Sequence, residues 1–218
     1  MFFTLAGRIT LTLSTRNQQS LLESIRIVDG KAPLLDFHQR RVTRSRKLIF
    51  PKCPSFNLSS VIGELDLPKK GTYKLRVVYG VGLEKQELIP YNVVPVQSVR
   101  LVNADEVRYG QKFLNRTGIR KCLEKKGDCD DILMIQRGHL TDASYANVAL
   151  YDGKFWYTPA WPLLRGCRRE KLIAEGQLRP TVIRDRDLKH FKEIKLINAM
   201  LPWEQAPTLP VSAIKGLP

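Results

Sequence analysis

The chain has 218 residues, with 36 Lys and Arg against 21 Asp and Glu, and a formal net charge of +15 at pH 7. Hydrophobic residues make up 43% and charged residues 26% of the chain. These values are close to the averages of soluble globular proteins and exclude a disordered chain. No run approaches the roughly 18 apolar residues of a membrane span, and the length suits one domain or two of about 100 residues each.

The positive charges are scattered, with no run of five or more like charges, which favours a basic solvated surface over a nucleic-acid or membrane interface. The start of the chain, MFFTLAGRITLTLS, lacks the basic leading region and the long apolar core of a secretory signal. The four cysteines are irregularly spaced and form no C-x-x-C pair, so we expect free thiols and no metal centre. We therefore expect a cytoplasmic protein with no nucleic-acid or membrane partner.

In the N-terminal part, alternating hydrophobicity predicts strands over residues 4–13 and 24–28, with a turn at Asp29-Gly30. The period then changes and predicts a helix over residues 36–50, with Asp36 as a possible N-cap. This spacing puts His38, Arg41 and Ser45 on one helical face. Five Lys and Arg side chains fall between residues 40 and 47, and they form either a solvated face or an anion site.

The next segments alternate between short helices and strands. Prolines delimit a helix over residues 58–65, strands are predicted over residues 73–81 and 93–102, and residues 105–111 form a connector. A helix then follows from residue 112 or shortly after and ends at Gly127. The strand over residues 73–81 places Lys74 and Arg76 on one face, where either could meet a substrate carboxylate if that face is not simply solvated.

The stretch from residue 130 to residue 157 contains one polar residue that needs a partner. It predicts a buried strand over residues 132–135, a turn at Arg137-Gly138 and a strand pair that turns at Asp152-Gly153. Asp142 lies between two apolar runs. Because a buried, unpaired carboxylate costs several kcal/mol, roughly, we expect a cation or a hydrogen-bond donor beside it.

Several ordered motifs share this part of the chain: D-D-x-L at residues 130–133, G-x-L-T-D at 138–142, Asn147, Asp-Gly at 152–153, Y-T-P at 157–159 and G-x-x-R at 166–169. The N-terminal half adds L-E-S-I-R at residues 22–26 and H-x-x-R at 38–41. Together they resemble the class IV (fold type IV) pyridoxal-phosphate enzymes. That group contains branched-chain and D-amino-acid aminotransferases and aminodeoxychorismate lyase.

The resemblance implies the architecture as well as the cofactor, pyridoxal 5′-phosphate. We expect an α/β (α+β) fold with two domains: residues 1–105 as a small N-terminal domain, 106–111 as the connector and 112–218 as a larger domain. The cofactor would lie at the interface of the two domains. Family members are typically homodimers, so the resemblance also implies a homodimer.

The resemblance assigns the reactive groups by position. Lys112 corresponds to the lysine that forms the Schiff base, thirty residues before the acidic residue that meets the pyridine nitrogen, here Asp142. The family normally has Glu at that position. The Arg of the H-x-x-R element, which holds the cofactor phosphate, is Arg41, and a guanidinium suits phosphate because it offers paired donors. His38 is expected to pack and to orient the helix.

Further contacts follow from the same resemblance. The backbone of Cys167 and Arg168, at the start of a helix that ends near Gly176, is expected to supply amides to the phosphate. The I-N-A-M run adds Asn198 and Ala199, and Asn147 is expected to brace the strand beside the cofactor ring. The candidate substrate-binding residues are Arg76, Asn115 and Arg116.

The run K-F-L-N-R at residues 112–116 is similar to the K-x-L-N-R run of aminodeoxychorismate lyases. It favours a lyase that converts 4-amino-4-deoxychorismate, a small anionic amino substrate, to 4-aminobenzoate and pyruvate in folate synthesis. An aminotransferase for branched-chain or D-amino acids and a basic protein that keeps the fold without catalysis remain alternatives. Two departures bear on the substrate: the Y-G-D-G-x-F-E strip is absent from residues 15–23, and the loop after Tyr79 has lost the family's glycine-rich run.

Overall fold

The structure, a computed structural model, describes residues 20–218. The strand predicted over residues 4–13 lies outside the described residues. Two β-sheets organise the rest, and the first is a three-stranded antiparallel sheet in the order β1-β2-β3. Its strands and the two helices that follow β1 are β1 (Leu21–Val28), α1 (Leu35–Ile49), α2 (Leu58–Gly63), β2 (Thr72–Tyr79) and β3 (Leu83–Pro90).

The first sheet buries one face against α1 and α2. Ile25 of β1 and Leu75 of β2 lie opposite each other, and both are fully buried in one cluster with Val42 of α1 and Leu58 of α2. This follows from the period of two in the strands and the apolar stripe of the helix. The predicted helix over residues 36–50 is confirmed, but Asp36 lies in its first turn and does not cap it.

Strand β3 was missed by the sequence prediction, which instead assigned a strand to residues 93–102. The sequence of β3, LEKQELIP, carries a run of polar residues from Glu84 to Glu87 in place of a regular alternation, and the strand lies at the sheet edge with several side chains exposed. It pairs with β2 through a hairpin turn at residues 80–82. In the predicted 93–102 segment, the structure has a strand only from Val99 onward.

The second sheet has nine strands in the order β11-β10-β7-β6-β5-β4-β12, with β8 paired to β7 and β9 paired to β8. Its strands are β4 (Val99–Asn103), β5 (Asp131–Gln136), β6 (His139–Ala143), β7 (Asn147–Tyr151), β8 (Trp156–Pro159), β9 (Arg179–Thr181), β10 (Glu193–Ile197), β11 (Thr208–Pro210) and β12 (Ile214–Lys215). Strand β4 runs parallel to β5 and to β12, whereas β5, β6 and β7 are joined by antiparallel pairings. Apolar side chains from these strands form the largest core cluster.

The turns predicted in the second sheet are confirmed. Arg137 and Gly138 both have positive φ, 50° and 74°, between β5 and β6, as a two-residue hairpin turn requires. The hairpin from β7 to β8 turns at Asp152-Gly153, where the Asp152 carboxylate accepts hydrogen bonds from the backbone amides of Lys154 and Phe155. The turn residues in the sequence therefore predicted where these strands begin and end.

The segment after residue 111 differs from its prediction. Helix α3 spans Thr117–Leu123 and continues as a short 3-10 helix, Glu124–Lys126. Residues 112–114 instead pair with β1 and with Ser20, the residue that precedes β1. The Leu22 amide donates to the Lys112 carbonyl at 2.9 Å, and the Leu114 amide donates to the Ser20 carbonyl at 2.8 Å. This pairing keeps Lys112 ahead of the helix, in a segment bonded to the first sheet.

Helix α4 (Cys167–Ala174) begins after Gly166. A Cβ at Gly166 would lie 2.0 Å from the Asn147 Oδ1 atom, so a larger residue cannot occupy this place without moving Asn147. The change from the first sheet to the second falls between Pro90 and Val99, ahead of the domain boundary predicted near residue 105, which stays a prediction. Among residues 20–218, no helix combines the length and apolarity needed to cross a bilayer.

Candidate active site

A cavity of about 240 Å³ lies where the two sheets meet. The first sheet contributes Leu22, Ser24 and Lys74, and the second contributes Asp142 and Asn147. Arg41 and Lys112 line the same cavity. The structure therefore brings together the amine, the carboxylate and the guanidinium that the sequence motifs single out.

Lys112 lies on the cavity wall in the segment bonded to β1. Burial, together with the nearby positive charges of Arg41 and Arg116, lowers the pKa of its amine to about 8, and the carboxylate of Glu23 opposes the change. An amine with a pKa near 8 has a much larger neutral fraction at neutral pH than an ordinary lysine has. Lys112 can therefore act as a nucleophile or as a proton acceptor.

Asp142 is buried on β6, and burial raises the pKa of its carboxyl to about 7. Hydrogen bonds oppose this rise: Oδ2 accepts from the Leu164 amide at 2.9 Å, and Oδ1 accepts from the Asn147 Nδ2 atom at 2.6 Å. The charge of Arg169 also lowers it. The carboxyl is thus fixed in position, and a cationic group placed beside it would hold it ionised.

Asn147, which the sequence predicts to brace the strand beside the cofactor ring, binds the side chain of Asp142. Its Nδ2 atom donates both to Asp142 and to the Leu164 carbonyl, at 2.6 and 2.7 Å. The residue therefore links the start of β7 to the loop that precedes α4. Gly166 gives this side chain the space it occupies.

Arg41 is buried and is held by a second buried residue, Glu23. The Arg41 Nε atom donates to Glu23 Oε1 at 2.8 Å, Nη2 donates to Oε2, and Nδ1 of His38 lies 2.5 Å from the same Oε2 atom. Within residues 20–218, the Nη1 atom of Arg41 forms no hydrogen bond, and Arg41 is among the residues that line the cavity. Burial alone would raise the pKa of Glu23, but Arg41 and His38 hold it at about 2.

The start of α4 borders the cavity close to Arg41. Cys167 is the first residue of the helix and lines the cavity, and its sulfur lies within 4.8 Å of the ligand atoms of Glu23 and His38. The first backbone N–H groups of a helix have no intrahelical acceptor and point toward an anion placed there. Asn198 and Ala199, in the loop after β10, line the cavity as well.

Eight of the predicted site residues line the cavity: Arg41, Lys112, Arg116, Asp142, Asn147, Cys167, Asn198 and Ala199. Three do not. The Arg76 Nη1 atom instead donates to Glu87 Oε2 at 2.8 Å. The Asn115 side chain is exposed and accepts a hydrogen bond from the Thr117 amide at the start of α3. Arg168 is the third residue that is absent from the cavity wall. The expectation for Arg168 concerned its backbone amide, which remains in the first turn of α4.

Sequence reasoning missed the partner of Arg41 and several aromatic residues of the cavity wall. Glu23 was visible as an acidic residue of β1 whose side chain must point to the helix-covered face, because its neighbours Leu21 and Ile25 do so. Tyr91, Tyr109 and Tyr145 line the cavity from segments outside regular strands, and no periodic signal marks them. All four cysteines are free thiols, as predicted.

Comparison with known proteins identifies the family of the chain. A family model for amino-transferase class IV matches residues 20–214. The chain belongs to the aminotransferase class IV family. It is therefore a pyridoxal-phosphate-dependent enzyme with the fold type IV architecture, and the cofactor prediction is confirmed.

Individual proteins and solved structures are also similar to this class IV enzyme. A Haemophilus influenzae protein named only as uncharacterized is 34% identical over 183 residues, which cover 83% of this chain and 97% of the relative. A crystal structure from Haemophilus somnus, with the provisional name 4-amino-4-deoxychorismate lyase, is 32% identical with a TM-score of 0.79 and covers 84% of this chain and 97% of its own. A hypothetical aminotransferase from Mycobacterium tuberculosis in a PLP-bound form shares the fold at 19% identity, with a TM-score of 0.74 and coverage of 99% and 89%.

Proposed function

We propose that this enzyme is a lyase that cleaves 4-amino-4-deoxychorismate to 4-aminobenzoate and pyruvate. The observation that carries the proposal is that Lys112 and Asp142 line one cavity, in a chain whose K-F-L-N-R run is similar to that of aminodeoxychorismate lyases. The Haemophilus somnus relative that bears the provisional lyase name supports the same choice.

The side chains around the cavity fit pyridoxal phosphate. In our proposal, Arg41 offers its Nη1 atom to the phosphate, and the backbone amides of Cys167 and Arg168 add donors at the start of α4. Asn198 and Ala199 complete that side of the cavity. When bound, the cofactor supplies a ring that accepts electrons from the substrate carbon next to the amine.

The chain's own residues then have separate tasks. Lys112, with its pKa lowered to about 8, would supply the neutral amine that holds the cofactor and, once released from it, would carry protons on and off the substrate. Asp142 would pair with the ring nitrogen of the bound cofactor and keep that nitrogen protonated. Asn147 and the Leu164 amide fix Asp142 in place, which supports a contact despite a side chain one methylene shorter than the usual Glu.

The experiment that tests the lyase is a pyruvate assay. Purified protein loaded with pyridoxal phosphate is incubated with 4-amino-4-deoxychorismate and no keto acid, and we expect pyruvate and 4-aminobenzoate in equal amounts. Lys112→Ala should abolish both products. A strict need for an added keto acid would contradict the lyase and would select an aminotransferase for branched-chain or D-amino acids, which can use the same cofactor contacts.

We also propose a homodimer, because the family is generally dimeric, with a small anionic amino compound as the substrate. The four free thiols fit a reducing compartment, and we propose the cytoplasm as the location and folate synthesis as the biological role. The two-domain division remains our proposal for how the two sheets are organised.

A further inference from the structure

The walls of the cavity carry an excess of positive charge. Among the described residues that line it, the cationic side chains are Arg41, Lys74, Lys112 and Arg116, and Asp142 is the carboxylate. Arg41 forms a buried ion pair with Glu23, and Lys112 is the amine that we propose as the nucleophile. Lys74 and Arg116 form no ion pair with any carboxylate within residues 20–218, so they remain to be explained.

Lys74 reaches the cavity from β2, on the face of the first sheet opposite α1. Its neighbour on the same face, Arg76, is two residues along the strand and does not line the cavity. The Arg76 Nη1 atom instead forms an ion pair with Glu87 Oε2 at 2.8 Å. The Lys74 Nζ atom lies 5.7 Å from the ring centroid of Tyr91, which also lines the cavity. Such a contact orients an ammonium group without neutralising its charge.

Arg116, immediately before α3, also lines the cavity. Its Nη2 atom donates to the carbonyl of Ser144, a residue in the turn between β6 and β7. One nitrogen of the guanidinium is therefore held by a neutral acceptor, and the charge of Arg116 also opposes the rise that burial causes in the pKa of the Asp131 carboxyl. The charge of Arg116 is also among those that lower the pKa of Lys112.

We propose that Lys74 and Arg116 bind two carboxylate groups of one substrate, so that the cavity selects an amine carrying two carboxylates over one carrying a single carboxylate. Lys74 belongs to the first sheet, whereas Arg116 is bonded to the turn between β6 and β7 of the second sheet, so one ligand with two carboxylates would contact both parts of the cavity wall. Each contact is a charge-assisted hydrogen bond, the stronger kind. The inference rests on the proposed function for its placement of the cofactor and substrate in this cavity.

The test uses a ligand that has two carboxylates but no amine, so that no reaction can follow. Chorismate, in which a hydroxyl replaces the amine of the proposed substrate, is titrated into the enzyme loaded with pyridoxal phosphate. We expect Lys74→Gln to raise its Kd at least about 10-fold, as the loss of one charge-assisted contact implies, and Arg116→Gln to do the same. The visible absorbance of the bound cofactor should be unchanged in Lys74→Gln.

Arg76→Gln is the matched control, because it removes the same charge from the same strand face two residues away. Its Kd for chorismate should stay within about 2-fold of the wild-type value. The inference is overturned if the wild-type enzyme does not bind chorismate, if Lys74→Gln binds it as the wild type does, or if Arg76→Gln weakens binding equally.

The outcome is separable from the lyase assay. If binding of chorismate depends on Lys74 but no pyruvate is released from the aminated substrate, the lyase proposal fails and dicarboxylate recognition stands. If pyruvate is released and Lys74→Gln leaves both KM and the Kd for chorismate unchanged, the lyase stands and this inference fails.

Discussion

The buried Glu23 carboxylate gives the sharpest prediction on stability. Glu23 is fully buried, and burial would raise its pKa, but the charge of Arg41 and the hydrogen bond from His38 lower it from the usual 4.5 to about 2. At 1.36 kcal/mol per pH unit, the difference of about 2.5 corresponds to about 3 kcal/mol. Glu23→Gln should therefore lower the free energy of unfolding of the cofactor-free protein by about 3 kcal/mol at pH 7. It also leaves the Arg41 charge buried without its counter-ion.

The pH dependence has a defined sign. A carboxyl whose pKa is lower in the folded protein stabilises the fold above the unfolded pKa, here 4.5, and loses that contribution as pH falls toward 2. The difference between wild type and Glu23→Gln, measured by urea unfolding, should be constant from pH 7 to pH 6 and should fall to less than half by pH 3. Glu87→Gln, at a solvent-exposed ion pair, is the control and should change stability little. A loss below about 1 kcal/mol at pH 7, or one of equal size at pH 3, would refute the reasoning.

Three further predictions concern the cavity. Lys112→Ala should abolish both the visible absorbance of the bound cofactor and product formation, and retention of either would contradict the role of this amine. Burial raises the pKa of Asp142 from 3.8 to about 7 in the cofactor-free protein. The free energy of unfolding should therefore fall as the pH rises from about 4 to 7, because the unfolded chain loses this proton first. Asp142→Asn should therefore be more stable than wild type by more than about 1 kcal/mol at pH 8 but not at pH 4, as measured by urea unfolding, while its turnover is lost. Gly166→Ala should weaken cofactor binding at least about 10-fold, because its Cβ would collide with the Asn147 side chain. Gly63→Ala, which meets no atom within 4 Å, should bind the cofactor normally in the same titration.

The second sheet was largely predictable because its turns are marked by residue type. Arg137-Gly138 and Asp152-Gly153 delimit the strands, and the motif residues lie at or beside these strand ends. Asp142, an acidic residue between apolar runs, also indicates a buried site from the sequence alone. The structure places it beside the donors that such a residue requires.

The first sheet was harder to predict for a physical reason. Its edge strand β3 is partly exposed and carries a run of polar residues from Glu84 to Glu87, so hydrophobic alternation does not reveal it. Without β3, the choice between Lys74 and Arg76 stayed open, since both share one face of β2. Glu87 of β3 settles their positions by pairing with Arg76 and leaving Lys74 at the cavity.

The start of α3 illustrates a tertiary effect that no local pattern carries. The run K-F-L-N-R has ordinary helix formers, and propensity alone allows a helix from residue 112. The backbone of Lys112 instead bonds to Leu22, far away in sequence, and the Asn115 side chain accepts from the Thr117 amide where the helix begins. Lys112, the amine that we propose as the nucleophile, is thereby bonded to the first sheet, whereas Asp142 belongs to the second sheet.

The central claim is that Lys112 is the amine that receives the cofactor, and Lys74, the other described lysine of the cavity, provides the contrast. Borohydride reduction of the protein loaded with pyridoxal phosphate fixes the cofactor to the amine that holds it, and peptide mass mapping identifies that amine. The account predicts one cofactor per chain, attached to Lys112. Attachment to Lys74, or labelling spread over surface lysines with none at Lys112, would contradict it.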